Sequence, residues 1–395
     1  MARILFYLPN VTLWWFDNVV TPLARLLAAE HEVHIMVPPA WRGTGITADR
    51  LAPFADGPEI HWHILDGEDH PALRENGAAD PEVRARVAAI DADYTLCRCA
   101  DPEVIHAFPG TVRFLMEGAA TPLANGGNPI IFTTRLFEHG AMPPLGEEQG
   151  AALDAAFADI WADYEAGLRA PVPSWRAAAG IAAGRKAVAV PLEYELEESF
   201  TVPHRLFADN LTLVDRVAAA FDDDVFLAFT NHPINEDHAD NRAIEAKIAA
   251  LGDRGALIRS HVPGIAATDL VARDCDGAVL DLSKCYLVYA YFGVPMARPR
   301  GHATARWLNV ETDLDAFAAA VRDGRATAPS PEMTRRWFAC HIANSALDVA
   351  NRRLDAGQVL DHIRRPLDPG RWEGNLDLFR RQMRRQARAR RRLAA

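Results

Sequence analysis

No stretch of this 395-residue chain approaches the ~20 consecutive apolar residues that a bilayer-spanning helix needs. Cysteine is scarce: Cys97, Cys99, Cys275, Cys285 and Cys340 are odd in number and show no framework spacing. That argues against a disulfide scaffold and fits a reducing compartment. Cys97 and Cys99 share one face if their segment is a strand, but no further ligand spacing completes a metal set, and two small buried side chains are the simpler reading. The chain has no Gly-x-Gly-x-x-Gly and no phosphate loop of the nucleotide-hydrolase kind, which argues against a dehydrogenase or an NTPase. It lacks internal repeats, and its only biased segment is an arginine-rich end. The opening Met1 to Pro9 is too short and too soon interrupted for a signal peptide and reads as a first strand, so a cytoplasmic protein starting at Met1 is expected.

What is present is a soluble-protein composition, 49% hydrophobic and 24% charged, with enough length for two domains. The formal charge of −11 is uneven: eight arginines between Arg380 and Arg392 contribute +8, leaving −19 on the remainder. The body should repel nucleic acid, so no nucleic-acid partner is expected. The tail either is simply solvated or contacts an anionic membrane face.

Apolar and amphipathic segments alternate. Arg3 to Leu8 reads as a strand, Asp17 to Glu30 as a helix and Glu32 to Val37 as a strand, an opening that predicts a parallel sheet with right-handed crossovers. Further strands are expected at Glu59 to Ile64, Tyr94 to Cys97, Val112 to Met116 and Ile130 to Thr133, with helices at Pro81 to Ile90 and Gly146 to Ala170. A second α/β series starts at Lys186 to Pro191. It continues through strands at Val225 to Phe229, Ala256 to Ile258, Gly277 to Leu280 and Val294 to Ala297, and helices at Ala208 to Phe221, Asn241 to Leu251, Ala266 to Cys275 and Lys284 to Phe292. The expected division is an acceptor-side Rossmann-like domain over 1–170, a nucleotide-side Rossmann-like domain over 185–330, and helices with the arginine tail over 331–395, the first of them Pro331 to Leu354.

Three strand ends carry chemistry-bearing residues, and in open α/β sheets ligands bind beyond the carboxyl ends of strands. The second-half strand at Val225 runs into Asn231-His232-Pro233. Proline suits a first helical turn, and the histidine before it is either a polar cap or a donor to a phosphate oxygen or leaving group. The strand Phe114 to Met116 ends in Glu117-Gly118, where a carboxylate can take a proton from a hydroxyl and glycine allows a close turn. The third is Asp281-Leu282-Ser283-Lys284: Ser283 is a helix cap or part of an anion cradle. Asp17 is a second acid candidate. Arg298 and Arg300 are either surface arginines or cations for an acidic donor. Trp14 and Trp15 either line the cleft or are buried. Asn125 to Pro129 is a turn or a loop that closes over an acceptor. Asp91-Ala92-Asp93 has the spacing of a metal-binding acid pair but precedes a strand, so it reads as a surface turn and no metal is expected.

An acid–Gly turn in the first half, His-Pro in the second and a later serine at a helix start resemble bacterial glycosyltransferases that use CMP-activated sugars. These are the sialyltransferases and the capsule-polysaccharide proteins that include Kdo (3-deoxy-manno-octulosonic acid) transferases. Leu115-Met116-Glu117-Gly118 is similar to their Glu-x-Gly-Tyr region, with Ala119 in place of the aromatic. Leu280 to Pro295 is similar to their strand, serine, helix, Gly-x-Pro segment, and Pro191-Leu192-Glu193 to a Pro-Leu-Gln element, with glutamate for glutamine. The resemblance spans roughly residues 110–300. Lys284 stands where the family often has a second small residue.

The resemblance implies an α/β GT-B architecture, with two Rossmann-like domains of parallel strands facing across a cleft. It implies a nucleotide-sugar donor, CMP-linked and Kdo-like or sialic-acid-like, and a glycan or lipid-linked acceptor at a bacterial surface polysaccharide, with no separate cofactor. Carried over by position, Glu117 acts on the acceptor hydroxyl, and His232 and Ser283 contact the donor phosphate. Asn231, Pro233, Lys284, Glu193 and Arg298 fall in the same donor region. A single departing phosphate can be stabilised by helix N-termini and a histidine without a metal. Alternatives are a nucleotide-sugar epimerase or glycerophosphate transferase on the same fold, or a non-catalytic scaffold acting through the tail.

Overall fold

A computed structural model describes residues 1–38, 45–65, 75–123, 128–169, 171–195, 199–299 and 301–373. The first half holds β1 (Arg3–Tyr7), β2 (Glu32–Val37), β3 (Ile60–Ile64), β4 (Tyr94–Cys97), β5 (Thr111–Glu117) and β6 (Pro129–Thr133). The second holds β7 (Ala187–Pro191), β8 (Phe226–Thr230), β9 (Gly255–Leu257), β10 (Gly277–Val279) and β11 (Met296–Ala297), and a short β12 (Leu347–Asp348) follows. Both sheets carry the doubly wound order. The first is β12-β6-β5-β4-β1-β2-β3 and the second is β11-β10-β7-β8-β9. The order reverses between β1 and β4 in one sheet and between β7 and β10 in the other, and such switch points open the crevices in which α/β sheets bind ligands.

The strands form because their residues can be buried on both faces. In β1, Ile4 and Phe6 enter one core cluster while Leu5 and Tyr7 enter the cluster on the opposite face. Val188 and Val190 of β7 likewise face one cluster, Ala187 and Ala189 the other. This period of two, with apolar residues at every position, marks a parallel strand covered on both sides.

The all-parallel expectation fails at one edge of the first sheet. β6 runs antiparallel to β5, and β12 antiparallel to β6. A parallel return needs a crossover of a dozen or more residues, usually a helix; the segment from Gly118 to Asn128 is too short for one. The expected helix from Pro331 to Leu354 also ends early. It spans Pro331–Cys340, passes through a π turn at His341–Ser345 and gives way to β12. The helix Ala356–Arg364 then packs Ala356, Val359, Leu360 and Ile363 into the first sheet's core. The chain thus returns to its amino-terminal half after completing the second sheet.

The helical segment after β1 contains a π turn at Phe16–Val20 ahead of Thr21–Ala28. Pro22 has no N–H to offer the preceding turn, and the carbonyl of Asn18 instead accepts from Asn128 Nδ2 at 3.1 Å. Two helices follow His232, a short one at Pro233–His238 and the expected one at Arg242–Ala249. Between them, Asn241 Nδ2 donates to the carbonyls of Asn235 at 2.7 Å and Ala239 at 3.2 Å.

Candidate active site

Glu117 is the last residue of β5, and its Oε2 pairs with Nζ of Lys284, which follows β10 in the other half. The two side chains are about half exposed, so the pair lies where the halves meet and solvent still enters. The Lys284 ammonium, chiefly, holds the Glu117 carboxyl below the usual carboxylate range; Arg98 and His232 add to this. Lys284 is one of only three lysines in the chain.

Gly118 fixes the turn after Glu117. Its N–H donates to the Pro129 carbonyl at 2.7 Å, and a Cβ there would lie 2.8 Å from the carbonyl carbon of Ile130. The buried His341, its pKa pushed down to about 4 by burial, is neutral, and its Nε2–H donates to the Gly118 carbonyl at 2.8 Å. A Gly118→Ala variant should push β5 and β6 apart, lower stability by about 1–3 kcal/mol and displace Glu117; urea unfolding curves would measure the first effect.

His232 ends the connection from β8 and caps the helix that Pro233 begins: its Nδ1 accepts from the Ile234 N–H at 3.3 Å. Burial first and the Lys284 charge second push its pKa down to about 4, against the pull of Glu117. A neutral imidazole that accepts at Nδ1 carries its hydrogen on Nε2. The cap therefore sets the tautomer and leaves Nε2–H as a donor, while the ring stacks on Tyr194 with centroids 5.3 Å apart. Asn231 serves the same turn: it donates to Asn241 Oδ1 and accepts from Asn235 Nδ2, both at 3.0 Å. With both ends of its amide engaged, Asn231 acts as a brace for the loop.

Glu193 lies just beyond β7, its backbone held by two buried asparagines. Asn210 Oδ1 accepts from its N–H at 2.9 Å, and Asn235 Nδ2 donates to its carbonyl at 2.8 Å. Its Oε1 accepts from the Ser283 N–H at 2.9 Å. Burial, with Asp281 beside it, raises the carboxyl to about 7. The acid therefore spends much of its time protonated near neutrality, which makes it a chemical stand-in for an amide. The Ser283 N–H is thereby taken and is not free for an anion. Ser283 Oγ accepts from the Cys285 N–H at 3.2 Å, so its hydroxyl hydrogen remains available to donate.

A glutamate whose pKa is higher folded than unfolded stabilises the fold fully below its unfolded value, and that contribution is lost as pH rises through the folded value. The melting temperatures of Glu193→Gln and the wild type should therefore coincide near pH 4. They should separate in favour of the variant from about pH 4.5 to 7, where the wild type weakens. Parallel thermal melts across that range are the check, and a constant offset would contradict the protonation.

Two candidates lie apart from this cluster. Arg298 is 1% exposed; it donates from Nε to the Asp281 carbonyl at 2.8 Å, from NH1 to Thr304 Oγ1 at 3.1 Å and from NH2 to the Phe137 carbonyl at 3.0 Å. It ties the second half to a segment of the first and cannot serve as the cation for an acidic donor. Asp17 pairs with Arg50 on the first half and makes no contact with Glu117 or Lys284 among the described residues. Arg300, residues 125–127 of the glycine loop and the Arg380 to Arg392 tail lie outside the described residues. Asp93 Oδ2 accepts from the Arg3 N–H at 2.8 Å, before β4 begins, as a surface turn would. The tryptophans divide: Trp15 is buried and Trp14 is 57% exposed.

Sequence reasoning missed Arg98, His341, Asn210 and Asn235. Only a lone arginine one residue past a strand could have drawn attention to Arg98. One group with metal-like spacing occurs among the described residues: donor atoms of Glu32, His34 and His61 lie within 4.8 Å of one another on β2 and β3. Both ring nitrogens of His34 are engaged there, with His63 Nε2 and Glu32 Oε1 at 2.9 Å each, and the group shares no residue with the cluster around Glu117.

Two Rossmann-like halves whose strand ends meet across a cleft define the GT-B class of α/β architecture. No family model matches the chain, and no curated protein matches it. Similar solved structures include KpsC of Thermosulfurimonas dismutans, a beta Kdo 2,7 transferase, at 12% identity and a TM-score of 0.44, covering 92% of this chain and 98% of that one. HepE of Anabaena in complex with UDP and glucose is 11% identical with a TM-score of 0.35, covering 93% and 99%. Sucrose-phosphate synthase from Thermosynechococcus elongatus is 13% identical with a TM-score of 0.34, covering 98% and 100%. At these scores they add nothing to the reading of the site, and the class rests on the chain's own topology.

Proposed function

We propose that the chain is a glycosyltransferase that moves a sugar from a CMP-linked donor, Kdo-like or sialic-acid-like, onto a glycan or lipid-linked acceptor. The observation that carries the reading is the Lys284–Glu117 pair, which joins the strand end of one half to the phosphate-side loops of the other. Glu117 takes the proton of the acceptor hydroxyl as its oxygen bonds to the anomeric carbon. The bond from that carbon to the phosphate oxygen breaks with its electron pair going to the phosphate. His232 Nε2–H and the Ser283 hydroxyl donate to that phosphate, and CMP leaves. Lys284 has two anions to choose from: an arriving donor phosphate draws it from Glu117, which frees the carboxylate for the hydroxyl. The Arg380 to Arg392 tail would hold the enzyme at an anionic membrane face near a lipid-linked acceptor.

Thermal shift of the full chain against CMP, UDP, GDP and CDP tests the donor, because a ligand of the native state raises apparent stability by RT ln(1 + [L]/Kd). CMP should raise the melting temperature. A shift with UDP or GDP and none with CMP would overturn the nucleotide and leave the architecture untouched.

A further inference from the structure

Among the described residues, Arg98 is a buried arginine with no carboxylate hydrogen-bonded to it. It follows β4 by one residue, at the switch point between β1 and β4, and only 9% of it is exposed. Its guanidinium lies 3.5 Å from the ring centroid of Trp15 and 4.7 Å from that of Phe200, a residue from the start of the second half that packs into the first half's core. NH1 donates to the Leu115 carbonyl at 3.2 Å, whereas Nε is buried with no hydrogen-bond partner among the described residues. Glu117 is near enough for its charge to be felt, yet its carboxylate is paired with Lys284. Burial lowers the Arg98 pKa to about 9, which leaves it a cation at neutral pH.

Burying a charge without a hydrogen-bonded counter-ion is costly, and such groups are normally paired. The five donors of a guanidinium form a fork suited to a carboxylate or phosphate, and its flat faces suit aromatic rings. Here two aromatic rings lie against the guanidinium while Nε, part of the fork's edge, has no partner among the described residues. The site stands beside the strand that ends in Glu117, whose charge reaches it. It also supplies the cation that Arg298, consumed by structural bonds, does not.

We propose that Arg98 is the core of an oxyanion subsite at the first half's switch point, which takes the carboxylate or phosphate borne by a sugar substrate. The identity of that substrate rests on the transferase reading; the subsite itself does not. The anion has two sources, the carboxylate of an acidic donor sugar or an anionic group on the acceptor, and both present the same pair of oxygens to the fork.

Calorimetric titration of the full chain with CMP, CMP-N-acetylneuraminate and inorganic phosphate tests it, using the wild type, Arg98→Gln and Arg98→Lys. Phosphate is titrated with CMP saturating so that the donor-phosphate position is filled. A donor carboxylate predicts that Arg98→Gln weakens CMP-N-acetylneuraminate by about 10- to 100-fold and leaves CMP unchanged, the range of a lost charge-assisted hydrogen bond. An acceptor anion predicts that CMP-N-acetylneuraminate is unaffected while phosphate binding disappears. Unchanged binding of all three by a folded Arg98→Gln overturns the subsite. If that variant does not fold, Arg98→Lys decides: it keeps the charge and loses the fork, so weaker anion binding is expected and wild-type affinity overturns the proposal. Should the wild type bind no CMP, the transferase reading fails, and phosphate alone still judges Arg98.

Discussion

Replacing Glu117 by glutamine should lower the rate of sugar transfer by about 10²- to 10⁴-fold, the usual contribution of a positioned general base. The substitution keeps the size of the side chain and its place at the end of β5, so the melting temperature should move little while turnover, read as CMP release, collapses. The pH profile gives a second, independent signature. Because Lys284 holds the carboxyl below its ordinary range, Glu117 stays ionised at pH values where a free glutamate would be protonated. The acid limb of kcat/KM, which reports the free enzyme, should therefore lie below the usual glutamate value of about 4.3. In Lys284→Met the limb should move upward, since the ammonium that chiefly holds the carboxyl down is gone. Donor affinity should fall in the same variant, because the ammonium that the phosphate attracts is lost. An acid limb unmoved by Lys284→Met would break the link between the pair and catalysis.

Removing the His232 imidazole should cost about 10²- to 10³-fold in turnover, the effect of deleting one preorganised donor to a developing negative charge. The argument depends on its protonation state. With its pKa near 4, the ring is neutral over the working range, and the cap at Ile234 assigns the remaining hydrogen to Nε2. It therefore donates a hydrogen bond without titrating between pH 5 and 9. His232→Asn, which keeps a donor, should recover part of what His232→Ala loses. A limb near pH 6.5 in the wild type that vanishes in His232→Asn would show instead that the ring carries a proton during turnover. The alanine variant also loses a helix cap, worth about 1 kcal/mol, so turnover is to be compared well below both melting temperatures.

Much of this arrangement is legible in the residues. β2, β4 and the helix Pro81–Ile90 fall where the sequence places them, because each is a local pattern: alternating or continuous apolar residues for strands, and Asp80-Pro81 opening the helix with a cap. The acid–Gly turn and His-Pro are also local, since each needs only a strand that stops and a residue that tolerates the stop. What escaped is of another kind. Arg98 and Arg298 are indistinguishable as sequence, yet among the described residues one makes a single side-chain hydrogen bond and the other donates from every guanidinium nitrogen to the protein. Thr304 is six positions on, but Leu115, Asp281 and Phe137 lie 17 to 161 positions from the arginines they bind, beyond a short local window.

The sequence by itself determined two α/β series, their strands and the strand-end residues Glu117, His232 and Ser283, because backbone propensity and side-chain periodicity act over a few residues. Only the tertiary structure decided that the sheet edge turns antiparallel, that residues 347–364 return to the first half, and that Lys284 reaches Glu117. It also decided that the Glu193 carboxyl is raised to about 7 and that, among the described residues, Arg98 rather than Arg298 is the arginine left with an unpartnered donor. These outcomes depend on which charges and hydrogen-bond partners the packing brings within a few ångströms, and burial sets their energies far from those of the same groups in water.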